Sequence, residues 1–341
     1  MTQPRLLTVI LNYKTPEMSL EACEAALTAM QGLEGEITLV DNASADGSFE
    51  KLTQGVAQNG WGDRVQVLQS GRNGGFGAGN NFGIRAGLRD GSRPDLVYIL
   101  NSDAFPAPDA IRQLMAALEA DPQAGFAGSY IHGPSGEAHM TAFRFPSIAS
   151  EFEGAVRLGL VSRWLGKYAV PRPLPTATEP VDWLAGASML MRRDVLDEIG
   201  LFDEQYFLYF EETDLCLRAH RAGWRVLYVR ASEVAHIGGV STGMKRWKRV
   251  PEYWYDSRLT YFTKNHGQLY ALAATAAHIS GGVLWRLRRV IQRKDRVEPP
   301  KYLRNLALHY LKTRVSPRSA SQSAHAGPAP GANTPGKPEE Q

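Results

Sequence analysis

A chain of 341 residues holds one large domain or two ordinary ones, and 43% apolar residues can fill a sizeable core. A net charge of only +3 carries no bulk electrostatic signature of a nucleic-acid binder. Two cysteines, Cys23 and Cys216, stand far apart with no metal-ligand spacing, which fits a reducing compartment without disulfides.

The opening MTQPRLLTVILNYK has an apolar run too short for a secretory segment and no small-residue cleavage site, so Leu6 to Leu11 reads as a buried strand. A helical pattern follows through Leu20, Cys23, Ala26, Leu27 and Met30. Ile37 to Val40 is a second strand running into Asp41-Asn42-Ala43-Ser44-Ala45-Asp46-Gly47-Ser48, with Ser48 placed to cap the next helix. Val65 to Leu68 is a third strand, followed by the glycine-rich SGRNGGFGAGNNFGIRAGL; Leu96 to Leu100 is a fourth and closes on Asn101-Ser102-Asp103. Strands and helices alternating with short links predict a parallel α/β sheet with right-handed crossovers, whose ligands bind beyond the carboxyl ends of the strands. Asn12, Asp41, Asn73 and Asp103 all fall at those ends.

Gly74, Gly75, Gly77 and Gly79 fit neither G-x-G-x-x-G nor a P-loop. They form a tight loop entering a helix over Asn80–Leu88, or they let backbone approach a ligand closely. Asp103 is a turn former, or it holds Mg²⁺ or Mn²⁺, hard cations that prefer oxygen ligands and bridge phosphates. His236, in VAHIGGVSTG after an expected strand Arg225–Val229, is a hydrogen-bonded structural residue, or it completes a metal shell or contacts phosphate.

The richest stretch is Phe202 to Trp224, FDEQYFLYFEETDLCLRAHRAGW. Asp203, Glu204, Glu211, Glu212 and Asp214 lie among large apolar side chains, which points to carboxylates held in a cleft where desolvation raises their pKa. Helical spacing from Asp214 to the Gly223 stop places Glu211 and Glu212 at or just before a helix N-terminus. The plain alternative is a capped helix whose acids serve the dipole.

Beyond Gly267 the character changes. Leu269 to Trp285 is uncharged, too short to span a bilayer and interrupted by Gly281-Gly282, so it reads as an interfacial or docking helix. A basic run follows: Arg286, Arg288, Arg289, Arg293, Lys294, Arg296, Lys301, Arg304, Lys312 and Arg314, with Trp285 and Tyr302 interleaved. Beside an apolar segment this favours an anionic membrane over nucleic acid or a solvated face. Lys245, Arg246, Lys248 and Arg249 add to that surface or contact an acceptor diphosphate. The segment from Ser316 is rich in Pro, Ala, Gly and Ser and is expected to be disordered. The chain thus divides into 1–266, a basic helical extension over 267–315 and a tail over 316–341.

In this order, VILNYK, VDNASADGS, GRNGGFGAGNN, LNSDAF, WLAGASMLMRR, the acidic-aromatic stretch and VAHIGGVST resemble the family 2 inverting glycosyltransferases, especially bacterial rhamnosyltransferase-like members that extend polyprenyl-diphosphate-linked sugars. The resemblance spans Leu6 to Gly267. It implies a GT-A fold, a Rossmann-like, mostly parallel sheet with flanking helices. It also implies a nucleotide-sugar donor (dTDP-rhamnose or a UDP-sugar), a divalent cation, and a glycan or lipid-linked acceptor met at the inner face of the plasma membrane by a cytoplasmic, peripheral protein. Carried onto this sequence, Asp41 reads the donor's pyrimidine, with Asn12, Asn73, Asn81 and Ser102 lining the nucleotide pocket. Asp103 matches the last aspartate of the D-x-D metal motif, with His236 as a further ligand. Glu212 matches the base of the family's E-D pair, with Glu211 its rival, and Trp183, Gly186 and Asp214 lie toward the acceptor.

Two departures stand out. D-x-D is reduced to Asn101-Ser102-Asp103, one carboxylate short, and the base position holds glutamate in place of aspartate, which either carboxylate can serve chemically. Two other classes compete. A nucleotidyltransferase would carry a basic glycine-rich loop after its first strand, where this chain has Asn12-Tyr13-Lys14-Thr15-Pro16. A non-catalytic sugar- or nucleotide-binding scaffold would gain nothing from buried, base-like carboxylates.

Overall fold

The computed structural model describes residues 3–238, 249–295 and 298–315. The expectations placed on Lys245, Arg246, Lys248 and Arg296, on the end of VAHIGGVST and on the tail lie outside these described residues.

Strands β1 (Leu6–Asn12), β2 (Gly35–Asp41), β3 (Val65–Gln69) and β4 (Leu96–Asn101) pair in parallel in the order β3-β2-β1-β4. Helices α1 (Pro16–Ala29), α2 (Ser48–Gln58) and α3 (Gly75–Ala86) make the crossovers. Next come β5 (Ala104–Pro106), α4 (Ala110–Ala120), β6 (Ala124–His132), β7 (Ala142–Phe143), α5 (Ile148–Val156) and α6 (Gly159–Leu165). They are followed by β8 (Glu179–Val181), β9 (Trp183–Leu184), β10 (Ser188–Arg192), α7 (Arg193–Ile199), α8 (Glu211–Arg221) and β11 (Arg225–His236). Beyond β4 the sheet continues β10-β6-β11-β5, with β8 also on β11, and β7 pairs β9 in a separate ribbon. The strands β1–β4, β6 and β11 all run one way; β5, β8 and β10 run against them. The sheet is therefore mostly parallel, as expected.

Side chains alternate across a strand, so a strand apolar at every position must be covered on both faces. In β1, Leu6 and Ile10 pack into one core cluster with α1, α2 and α4, while Leu7 and Val9 pack into the other with α3 and α8.

Three local expectations change. Helix α3 begins at Gly75 rather than Asn80, because its glycines serve contact with the sheet. Cβ atoms at Gly79 and Gly83 would strike Leu11, Val9 and Val40, so the missing side chains let the helix lie directly on β1 and β2. Ser48 is the first residue of α2, not its cap; its hydroxyl donates to Asp46 (2.5 Å). Strand β11 runs to His236, so that histidine ends a strand instead of following one.

Helices α9 (Glu252–His266), α10 (Gln268–Ile291) and α11 (Tyr302–Val315) close the described chain. Gly281-Gly282 does not interrupt α10. Cβ atoms there would press on the Phe152 carbonyl and on Leu303, so the pair admits α5 and α11 at close range. A buried ion cluster fixes this contact: Arg258 donates to Glu151 (2.7 Å) and Thr275 (3.1 Å), and His278 Nδ1 lies 2.7 Å from Glu151. Burial alone would push the Glu151 carboxyl up, but Arg258 and His278 bring it down to about 2. Tyr206, Leu217, Tyr261, Phe262, Ala271 and Tyr310 form a further core shared by α8 and the C-terminal helices.

Candidate active site

The carboxyl ends of β1, β2 and β4 carry a connected polar floor. Asn12 is fully buried and donates to Asp41 Oδ1 (2.8 Å). Its own oxygen accepts from Ser19 (2.9 Å) and the Thr15 amide (3.2 Å). Asp41 also accepts from the Ser44 hydroxyl (2.5 Å) and amide (3.2 Å). Asn42 donates to Asn73 Oδ1 (3.0 Å) and the Gly75 carbonyl (3.2 Å), joining β2 to the glycine-rich segment. Ser102 stands 3.3 Å from the Thr15 hydroxyl.

Asp103 and His236 meet because β5 runs antiparallel to the end of β11, pairing Ala104 with His236. Nε2 of His236 lies 3.1 Å from Asp103 Oδ1, and the Gly238 amide donates to Asp103 Oδ2 (3.1 Å). Two adjacent ligands of an octahedral ion, each about 2.1 Å away, lie about 3 Å apart, so these two side chains fit one edge of such an ion. Among the described residues no group of three His, Cys, Asp or Glu side chains converges, so the remaining positions would need other ligands.

The third wall is the acidic-aromatic stretch. Gly75, at φ +88°, is packed so tightly on Phe207 that a Cβ would collide with its carbonyl, and the next amide, Phe76 N, donates to that same oxygen (2.9 Å). Asn81 is buried and exchanges hydrogen bonds with the Phe202 backbone (2.8 and 3.1 Å) while donating to Glu204 (3.0 Å). It thereby ties α3 to the loop before α8, with its amide engaged on protein.

Tyr209 and Phe210 both hold φ near 70°, and Phe210 is the N-cap of α8. Of the eight non-glycine residues with positive φ among the described residues, Lys14, Ala43, Ala45, Tyr209 and Phe210 flank this cleft. Strained backbone of this kind persists where surrounding structure over-determines it and clusters at functional sites. The strained turn delivers Glu211 and Glu212 as the first residues of α8. Glu211 is 2% exposed, and each carboxylate keeps one buried oxygen, Oε2, with no hydrogen-bond partner. Burial pushes both carboxyls up, and for Glu211 the neighbouring Glu212 charge adds to the effect. Backbone N–H groups of Glu212 and Gly186 offset part of the shift at Glu212.

Gly186 faces Glu212 and the Phe76 ring, so a Cβ there would touch both. Trp183 stacks on Phe143 (centroids 4.1 Å, 15°) and donates to the Arg144 carbonyl (2.8 Å). Asp214 is elsewhere: fully buried on the face of α8 toward α9, it accepts from Lys264 (2.8 and 2.9 Å), Asn265 (2.8 Å), Arg218 (2.9 Å) and Tyr206 (3.2 Å). Burial would raise its carboxyl, but these partners hold it below the usual carboxylate range. The thiols of Cys23 and Cys216 are free, buried and pushed up to about 12, which leaves them unreactive. Asn42, Ser44 and Phe76 were not singled out from the sequence, although all three lie inside the quoted motifs.

The family model described as "Glycosyltransferase like family 2" matches residues 4–250. This protein belongs to glycosyltransferase family 2. An N-acetylglucosaminyl-diphospho-decaprenol L-rhamnosyltransferase of Mycobacterium tuberculosis is 33% identical over 248 residues, 70% of this chain and 78% of the relative. Rhamnosyltransferase WbbL of Escherichia coli is 30% identical over 165 residues, 48% and 60% of the two chains. Among solved structures, the mannosyltransferase PcManGT of Pyrobaculum calidifontis, in complex with GDP-Man and Mn²⁺, superposes with a TM-score of 0.51 at 12% identity over 94% of this chain and 89% of its own. GalNAc-T7 with UDP, GalNAc and Mn²⁺ gives 0.52 at 14% over 92% and 58%. At such identities these two establish the GT-A fold of this glycosyltransferase and no more.

Proposed function

We propose that this family 2 enzyme transfers L-rhamnose from a dTDP-activated donor to a hydroxyl of a polyprenyl-diphosphate-linked glycan precursor, with inversion at the anomeric carbon. Two rhamnosyltransferases among the relatives, one named for a lipid-diphosphate acceptor, support the sugar and the acceptor class. The observation that carries the mechanism is the buried, unpartnered Oε2 of Glu212 at the start of α8, beside Gly186 and Phe76. A carboxylate with one oxygen shielded from water and its pKa raised is suited to take a proton from the acceptor hydroxyl as that oxygen attacks the anomeric carbon. Glu211, more deeply buried, is itself raised by the Glu212 charge, which leaves Glu212 as the carboxylate of the pair that ionises more readily.

Asp41, fixed by Asn12 and Ser44, reads the pyrimidine, and Asn73 and Ser102 line the nucleotide side. Asp103 and His236 would hold the divalent cation, Mg²⁺ or Mn²⁺, which supplies charge stabilisation to the departing diphosphate when bound. Trp183 and Gly186 border the acceptor path; the hydrogen bonds that Asn81 and Asp214 make to protein support a positioning role for both. A lipid-linked acceptor supports a peripheral position at a membrane surface; among the described residues no helix is long and apolar enough to cross one.

A thermal-shift panel of TDP, UDP and GDP, each with Mg²⁺, Mn²⁺ or chelator, tests the donor. A ligand that binds only the native state raises stability with the logarithm of its excess over Kd. The largest shift with TDP, lost on chelation, is expected. A preference for UDP overturns the sugar while keeping the enzyme class, and no shift with any nucleotide overturns the donor site.

A further inference from the structure

Helix α10 is amphipathic in the wrong direction for a helix facing water. Its protein-facing side is made of small residues, Ala271, Ala274, Thr275, Gly281 and Gly282, with Trp285. Its exposed side runs Leu269, Leu272, Ala276, Ser280, Val283, Leu287 and Ile291, a stripe at spacings of three and four along about 36 Å of helix. Leu269 is 84% exposed and Ile291 80%. An exposed face is ordinarily polar, and one that is apolar at every position but Ser280 marks an interaction surface.

The surface extends past the helix. Arg288 donates to the carbonyls of Val156 (3.1 Å) and Arg157 (3.2 Å), which brings the end of α10 against the segment leading into α6. Helix α6 presents Leu160 and Trp164, the latter 79% exposed, between the exposed cations Arg163 and Lys167. Helix α10 contains no acidic residue, and Arg286, Arg288, Arg289, Arg293 and Lys294 gather at its end. The C-terminal segment 316–341 contains no Leu, Ile, Val, Met, Phe, Tyr or Trp, so it offers no large apolar side chain to cover the stripe.

We propose that the outer stripe of α10, with Leu160 and Trp164 of α6, is a monotopic membrane-insertion face that lies flat in an anionic bilayer. Apolar side chains enter the headgroup boundary, an aromatic residue sits at the interface, and a cationic end pairs with lipid phosphates, the composition such helices need. Charge argues for an anionic bilayer as the occupant: the stripe ends in Arg288, Arg289, Arg293 and Lys294 and is flanked by Arg163 and Lys167, cations that anionic headgroups complement. The inference rests on the membrane part of the function proposed above and assigns it to particular residues, none of them in the catalytic cleft.

The test is flotation of the full chain with vesicles of phosphatidylcholine alone and of phosphatidylcholine with phosphatidylglycerol. The wild-type protein should float with the anionic vesicles, less with the neutral ones and less at high salt. Leu287→Glu/Ile291→Glu should lower partitioning about tenfold or more, and Trp164→Ala by a smaller factor. Both alter exposed side chains, and an unchanged thermal shift with nucleotide verifies that the fold and donor site persist in each variant. Flotation of the double variant equal to wild type would overturn the proposal. So would a wild-type chain that ignores anionic vesicles, including one that sediments as a dimer through this face. Flotation that survives while every nucleotide fails to bind would overturn the donor assignment and leave this surface standing.

Discussion

Glu212 and Asp214 stand two residues apart on α8, yet they occupy opposite electrostatic worlds. Asp214 is surrounded by Lys264, Arg218, Asn265 and Tyr206, and its charge is satisfied on every side. Glu212 is half-buried beside the buried Glu211, and each has an oxygen, Oε2, that nothing in the protein meets. The first is pushed down as an acid and the second pair up. A paired buried carboxylate anchors structure, whereas one with an unpaired buried oxygen is costly to hold and marks a candidate functional site.

The largest expected effect breaks the anchored side. Asp214→Asn leaves Lys264 and Arg218 without their buried partner and should cost about 3 kcal/mol in denaturant unfolding. Because its folded pKa is lowered, Asp214 contributes fully above its unfolded value near 3.8, and the gap between wild type and variant should close as pH falls below that. Unchanged stability at neutral pH would show that the cluster carries no weight.

Next in size is the cation edge. Asp103→Ala should weaken nucleotide binding about tenfold in Mg²⁺ or Mn²⁺, a loss of about 1.4 kcal/mol, and leave binding in chelator unaffected. Calorimetric titration checks it, and an equal loss in chelator would assign Asp103 to the nucleotide directly.

The smallest effect sharpens the comparison from the other side. A carboxyl whose folded pKa is raised supports the fold below its unfolded value of about 4.5 and opposes it as pH rises through the folded one. Glu211→Gln should therefore raise the melting temperature at pH 8 more than at pH 5. An equal change at both pH values would show that the surroundings of Glu211 do not raise its carboxyl.

Much of this was legible beforehand for a definite physical reason. A strand buried on both faces leaves a continuous apolar run, so Leu6–Leu11, Ile37–Val40 and Leu96–Leu100 showed the parallel sheet, and polar residues at their ends showed the cleft. Glycine was harder to read, because its absence of a side chain serves loops and tight helix packing alike. In SGRNGGFGAGNN and at Gly281-Gly282 the packing use prevailed. The separation of Asp214 from Glu212 was not visible either, since its partners Lys264 and Asn265 come from a helix fifty residues away. The outward stripe of α10 was hidden for a related reason: periodicity reveals a face, but only the packed neighbours reveal which way it points.

The measurement that bears most directly on the account is single-turnover rhamnosyl transfer by Glu212→Gln and Glu211→Gln, each saturated with donor and compared with wild type. If Glu212 is the base, its amide variant should be slower by about 100-fold or more, with nucleotide binding intact and Glu211→Gln far less impaired. Turnover within a few-fold of wild type in Glu212→Gln would contradict the assignment and move the chemistry to another residue.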